Sequence, residues 1–491
     1  MSKTPEKSGI ILKVKLFLLF FTVMIVPIVI LTFIAWDQSK INDHQLRDIS
    51  VEDAKTALRN NARSGIERIA SDTAEAVAQF LYQRDQDVLL LAGLMPSDDA
   101  YAVFSDTRKS MLTTQGEWKP ADDGMSWVEE RPSENSGYFF PLYDEITFID
   151  TDGIETAKYV TSGSTKKNFP LNPDKRDVSK RANTYIKAET YWEELKTLKS
   201  GEIYVSGVTG AYVSTNYLGM YTPEVLKNHI PASYPTYGEL KDIANLQAEA
   251  FMDIAKQQAF SGLENPVGQR FEGIVRWASP VTDYDGSILG YVTMALNHDH
   301  IMEFVSHITP MPERYSVLSN AYDGNYAFIW DHTGQSLAHP RHQSIAGFDP
   351  VSGEPQTPWL DSRHLSNARR FAEWEDLTEN GGSGSFYTQW NDKTMLIAAG
   401  SIPYYTGSYA PENRNGSKRG FAFIAVEADI EAFTIPAVQM EDKINEAVRT
   451  ASHESNIRLL YTSIFLLLFA AAAAVFAAMY ISGKINFIRG L

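Results

Sequence analysis

The apolar and polar positions change rhythm repeatedly along the chain, and each rhythm predicts a different element. Residues 16–35 carry no charge, and an apolar helix of that length crosses about 30 Å of hydrocarbon. Helical spacing then persists with no proline before Pro96. It is polar over 39–63 and afterwards striped with Ile66, Ile69, Ala70, Thr73, Val77, Phe80, Leu81, Val88 and Leu91. Three- and four-residue intervals of this kind mark an amphipathic helix. A long helix over 38–95 is therefore expected, a stalk that either pairs with a second copy or packs on its own domain. Beyond residue 140 the rhythm shortens to strands. Residues 146–149, the turn Asp150-Thr-Asp-Gly153 and the return Glu155–Val160 read as a hairpin. Near the end, 459–481 is a second uncharged run of spanning length.

The strand region repeats itself. Residues 328–330, the turn Asp331-His-Thr-Gly334 and 335–338 restate the hairpin. Trp277-Ala-Ser-Pro280 leads to Gly290-Tyr-Val-Thr-Met-Ala295 and then to Asp299-His-Ile-Met-Glu-Phe304. Ala399-Gly-Ser-Ile-Pro403 leads likewise to Gly420-Phe-Ala-Phe-Ile-Ala425 and to Asp429-Ile-Glu-Ala-Phe433. Two copies of one order imply two copies of one domain. Asp299 is expected to cap the helix that follows it.

This arrangement of first span, long helix, duplicated strand sets and second span resembles the double Cache (dCache) sensor domains of bacterial transmembrane receptors, over about residues 38–457. The resemblance implies an α/β (α+β) fold: a long N-terminal helix and two tandem PAS-like modules with antiparallel sheets, flanked by two transmembrane helices. The expected division is a cytoplasmic N-terminus 1–15, a first span 16–36, the stalk 38–95, a membrane-distal module 96–310, a membrane-proximal module 311–433, a connecting helix 434–458, a second span 459–482, and the start of a HAMP-like linker at 483–491. The distal module carries an insertion over 209–269, longer than the family needs, and a connection of that length tends to be functional. Within it, 238–260 reads as one helix, a lid over the pocket, a dimer contact or a surface decoration.

Composition narrows the function. The net charge is −17, which argues against a nucleic-acid partner, since a polyanion needs a basic face. Cysteine is absent, so disulfides and thiolate chemistry are excluded. Lys3, Lys7, Lys13 and Lys15 precede the first span, and Lys484 and Arg489 follow the second. By the positive-inside rule both termini are cytoplasmic and the large domain lies outside an inner membrane. No phosphate loop, nucleophile elbow or His-Glu-x-x-His motif occurs, so no catalysis is expected from these residues. His298, His300, His339 and His342 lack helical ligand spacing, and no metal or other cofactor is assigned.

A ligand site needs a concave, largely apolar lining with a few aimed polar groups. Tyr185, Tyr191, Trp192, Tyr204, Tyr212 and Tyr217 supply aromatic density, and Lys187 and Arg276 could face a ligand carboxylate. The candidate site is therefore Lys187, Tyr191, Trp192, Tyr204, Tyr212 and Arg276. Amino-acid-binding members of the resembled family carry an Arg shortly before a Trp-Tyr pair, a Tyr on the next strand and an Asp on a later one. Here the pair is inverted as Tyr191-Trp192, the basic group is Lys187, Tyr204 matches the strand Tyr, and the Asp position falls at Ala295. The resemblance thus implies a carboxylate or other small metabolite in preference to a standard amino acid. The reading is a homodimeric receptor that binds a small molecule outside and signals to a cytoplasmic output module absent from this chain. The alternative is a membrane-anchored external binding protein without signalling output.

Overall fold

A computed structural model of the chain describes residues 6–112, 117–120, 127–130, 139–162, 169–214, 220–221, 250–251, 269–308, 325–340, 345–356, 373–374, 376–390 and 393–489. It divides into two compact units, 61–432 and the combination of 1–60 with 433–491.

In the larger unit the first module is an antiparallel sheet of six strands: β1 (Tyr143–Asp150), β2 (Glu155–Val160), β3 (Tyr204–Val205), β4 (Thr209–Ser214), β5 (Gln269–Thr282) and β6 (Ile288–Asn297). Their spatial order is β2-β1-β6-β5-β3, with β4 also paired to β5. The second module has β7 (Tyr326–Trp330), β8 (Ser336–Ala338), β9 (Gly347–Phe348), β10 (Pro355–Gln356), β11 (Ser383–Trp390), β12 (Lys393–Ser401) and β13 (Phe423–Asp429). Its five-stranded sheet runs β8-β7-β13-β12-β11, and β9 and β10 form a separate hairpin. The two orders are the same, as the internal repeat required.

The repeated turns are built alike. Asp150 Oδ1 accepts from the backbone N–H groups of Asp152 and Ile154 at 3.0 and 2.9 Å. Asp331 Oδ1 accepts from those of Thr333 and Gln335, both at 2.9 Å. An aspartate that satisfies two turn amides is the local reason both hairpins form. Two expectations are corrected. Helix α4 (Asp299–Ser306) starts at Asp299, after His298 at the cap position, and Asn297 Oδ1 accepts the Asp299 N–H at 3.0 Å. The side chain two residues earlier, and not that of Asp299, thus satisfies the first amide of the helix. Of the helix expected over 238–260, Ala250–Phe251 is a strand paired with Met220–Tyr221, and the remainder lies outside the described residues.

Helix α1 (Glu6–Ala92) is continuous, and the short helices α2 (Asp98–Asp106) and α3 (Tyr191–Leu195) follow it before α4. Ile66, Ala70, Val77, Leu81, Val88 and Leu91 are buried within their own chain, so this stripe packs on its own domain. Phe80 meets Phe304 of α4 edge-on at 5.3 Å. Asp85 of α1 accepts from Trp277 Nε1 of β5 at 2.9 Å, and from Tyr404 Oη and Thr406 Oγ1 of the second module at 2.5 Å each. One carboxylate therefore ties α1 to both modules. Burial raises its pKa, although these three hydrogen bonds oppose the shift.

In the smaller unit, the helices covering Lys13–Gln38 and Glu446–Ile485 are long and apolar enough to cross a membrane. The second belongs to α5 (Ile430–Arg489). Thr32 Oγ1 and Ser463 Oγ lie 3.0 Å apart, and Ala470, Ala474 and Ala478 are buried. Small residues at four-residue steps let two helix backbones approach closely in lipid.

Candidate functional site

The first module contains a cavity of about 320 Å³. Its floor is a set of charges that the sheet brings together from separate strands. Arg276 on β5 is 2 % exposed. Its Nε and Nη2 donate to Glu189 Oε1 and Oε2 at 2.5 and 3.1 Å, a bidentate pair. Its Nη1 donates to Glu145 Oε1 of β1 at 2.8 Å and to Thr293 Oγ1 of β6 at 3.0 Å. The guanidinium lies 4.9 Å from the centre of the Tyr191 ring, close enough for a cation–π contact. Lys158 of β2 donates to Glu145 Oε2 at 2.9 Å and to Glu155 Oε1 at 2.8 Å. Glu155 Oε2 also accepts from the Arg176 backbone N–H at 2.8 Å.

This buried group therefore holds three carboxylates, Glu145, Glu155 and Glu189, against two cations, Lys158 and Arg276. With all five ionised it carries one surplus negative charge. The protonation equilibria follow from that imbalance. Burial would raise Glu145, but Arg276 and Lys158 outweigh it and its pKa falls. Glu155 is raised by burial and then by the neighbouring charge of Glu145. For Lys158, burial acts downward, yet Glu145 and Glu155 together raise it. Of Glu145 and Glu155, it is Glu155 that holds its charge more weakly.

The wall above these charges is the segment 181–189. Ile186 and Lys187 have φ of 44° and 58°, a left-handed conformation that L side chains, and β-branched ones above all, adopt at a cost. Glu189 Oε2 accepts the Tyr185 N–H at 3.1 Å, so the carboxylate holding Arg276 also holds this segment. Tyr185 is 7 % exposed, and its hydroxyl has no hydrogen-bond partner among the described residues. A buried hydroxyl in that condition on a cavity wall is suited to a ligand's polar atom.

Of the sequence candidates, Lys187, Tyr191 and Arg276 line the cavity together. The two cations assigned to a ligand carboxylate are engaged within the protein: Arg276 by Glu189 and Glu145, and Lys187 through its Nζ to Val351 O at 3.2 Å. Trp192 packs with Ile149, Val178, Leu195 and Tyr291 in the adjoining core, and half-buried Tyr204 packs against the same cluster. Tyr212 stands opposite Phe271 in the β4–β5 register, and Tyr217 lies outside the described residues. Tyr185, named in the sequence for aromatic density, also lines the cavity, whereas sequence reasoning missed Glu145, Glu155, Lys158, Arg176 and Glu189. For Glu145, Glu155 and Lys158 the signal was charge inside hairpin strands whose neighbours are apolar, whereas Arg176 and Glu189 lie outside any strand. Ala295 pairs directly with both Glu145 and Arg276. A carboxylate from the next strand therefore stands beside the position where the sequence lacks one.

No protein-family model and no curated protein sequence matches this chain. Among solved structures it is similar to the ligand-binding domain of the Pseudomonas fluorescens chemoreceptor CtaA in complex with L-leucine, at 12 % identity and a TM-score of 0.33, covering 77 % of this chain and 99 % of that one. A putative sensory box/GGDEF family protein domain from Vibrio parahaemolyticus matches at 13 % identity and a TM-score of 0.33, covering 81 % and 98 %. The extracellular domain of the putative histidine kinase vpHK1S-Z8 matches at 14 % identity and a TM-score of 0.31, covering 60 % and 71 %.

Proposed function

We propose that the chain is a two-span membrane receptor that binds a small molecule bearing an ammonium group in the cavity of its first module. The surplus carboxylate carries this reading. Five charges buried together with one negative in excess are stabilised by a further cation, and a ligand ammonium beside Glu155 supplies it. Half-buried Arg176 on the same lining would hold an anionic end. A volume near 320 Å³ suits a metabolite of few heavy atoms. This reading departs from the carboxylate preference drawn from Ala295, because Glu145 stands beside that position and, with Glu155 and Glu189, leaves the buried group one negative charge in excess.

Lys3, Lys7, Lys13, Lys15, Lys484 and Arg489 put both termini in the cytoplasm and the modules outside. Binding energy would reach the inner side through α5, whose tail over 483–489 is helical and enters as a HAMP-like connector. A homodimer is the form in which such a connector operates. The function proposed is sensing rather than catalysis.

Calorimetry on the detergent-solubilised full chain tests the ligand class with amino acids, ethanolamine and putrescine against dicarboxylates. Ammonium compounds should bind, and Glu155→Gln should weaken them. Dicarboxylates binding equally well to wild type and Glu155→Gln would sink the ammonium assignment. Silence from both classes would count against a ligand cavity.

A further inference from the structure

The cavity of the first module is not enclosed by that module alone. Pro350 on its lining belongs to the turn between β9 and β10 of the second module. That turn is held by its own hydrogen bonds. The Asp349 N–H donates to Glu354 O at 2.8 Å, the Gly353 N–H to Asp349 O at 2.7 Å, and the Val351 N–H to Asp349 Oδ1 at 2.7 Å.

The opposing surface is the strained cavity wall. Lys187 Nζ donates to Val351 O at 3.2 Å, Arg181 Nη1 meets Glu354 Oε1 at 3.1 Å, and Arg181 Nη2 donates to Gly353 O. Gly353 has φ +73°, and a Cβ there would stand 2.1 Å from Lys187 O. Only glycine allows the turn to approach so near. The two left-handed residues, Ile186 and Lys187, fall at this contact. A conformation of that kind persists where its surroundings impose it, and the Asp349–Glu354 turn is the part of those surroundings contributed by the other module.

We infer that the Asp349–Glu354 turn of the second module is a wall of the ligand site, so that the site is shared between modules and its occupancy is linked to how the turn is seated. The inference rests on the cavity being the ligand site. Linkage is reciprocal: a ligand that favours the seated turn is bound more weakly when the turn is displaced. Lys187 and Arg181 then act as positioning residues, which hold the wall that touches the ligand.

Hydrogen exchange on the full chain in detergent reads the wall without any ligand. The Lys187 and Ala188 amides donate to Thr184 O and Tyr185 O, and the Tyr185 amide to Glu189, so their exchange reports opening of this segment. Arg181→Ala and Gly353→Ala should each raise exchange over 185–189 by about tenfold or more. The surface change Arg181→Ala keeps the test decisive if Gly353→Ala fails to fold. Exchange equal to wild type in Arg181→Ala overturns the inference. The mixture of standard amino acids, ethanolamine and putrescine then reads occupancy. Weaker binding to the variants supports the shared wall, and binding equal to wild type overturns it while leaving the cavity as the site. If the mixture binds neither wild type nor variants and exchange still rises, the ammonium reading falls and the wall stands.

Discussion

The two modules put opposite chemistry on one scaffold. Their hairpins share a register: Ile149 pairs with Glu155 and Phe148 with Ala157 in the first, Trp330 with Ser336 and Ile329 with Ala338 in the second. Counted from the turn aspartates, Glu145 corresponds to Tyr326, Thr147 to Phe328, Glu155 to Ser336 and Lys158 to His339. The next strands keep step. Ala295 pairs with Glu145 and Arg276, whereas Glu427 pairs with Tyr326 and Ile397, so Arg276 corresponds to Ile397. The second module sets rings at three of these positions, Tyr326, Phe328 and His339, with Ser336 and Ile397 at the others. Phe328 and Trp330 meet Trp374 edge-on at 5.3 and 5.0 Å, in one cluster with Tyr326, Ile397 and Phe423. Aromatic and aliphatic groups interlock by shape, with rings favouring edge-on or offset contact, and need no charged partner. Ion pairs require distances and partners, and in the first module they stand beside open volume. The difference teaches that the site arises from substitution within a repeated sheet, with no new fold required.

The comparison breaks most sharply at Arg276. Arg276→Leu should leave Glu145 and Glu189 buried without their guanidinium, at a cost of about 3–5 kcal/mol, read as a fall in denaturation midpoint together with lost ligand binding. Phe328→Ala should cost a similar ~3–5 kcal/mol by opening a void among the rings, yet leave affinity at the cavity unchanged. A loss of affinity there would show that the second core, and not the cavity charges alone, sets binding.

Glu155→Gln should lower affinity for an ammonium ligand about tenfold, the effect of one charge–charge contact in a buried site, with little change in midpoint. Its pH dependence has a definite sign. The folded pKa of Glu155 is raised above the ordinary 4.5, so its protonated form is favoured by folding. Its contribution to stability is present below that ordinary value and is lost as pH rises through the raised one. Affinity for a cation runs the other way, complete above the raised pKa and declining as pH falls through it. Glu155→Gln should flatten both profiles relative to wild type; parallel profiles in the two proteins would remove Glu155 from the site. The smallest effect belongs to Glu354→Ala, which removes an exposed ion pair with Arg181. It should move the midpoint by less than the equivalent of ~1 kcal/mol.

Much of this architecture was legible because it is local. The aspartate turns, the alternation of the hairpins, the helical stripe of α1 and the two uncharged runs each depend on residues within a few positions of one another. The duplicated order β2-β1-β6-β5-β3 and β8-β7-β13-β12-β11 could be anticipated from the repeated motifs. The capping of α4 could not, because Asn297 and Asp299 are both competent and only the bend at the end of β6 selects between them. The site was legible in part: Tyr191 and Arg276 drew attention by type, while Trp192, of the same type, packs in the adjoining core.

By itself the sequence determined the spans, the periodicities and the repetition, since those follow from hydrophobicity and backbone geometry along a continuous stretch. Only the tertiary structure decided that Glu145, Glu155, Lys158, Glu189 and Arg276 share one buried volume, and that Pro350 of the other module borders it. Coulomb energy and desolvation depend on distance in space. Those five charges come from four strand-and-loop segments of the chain, and their sum has no meaning until the sheet has placed them side by side.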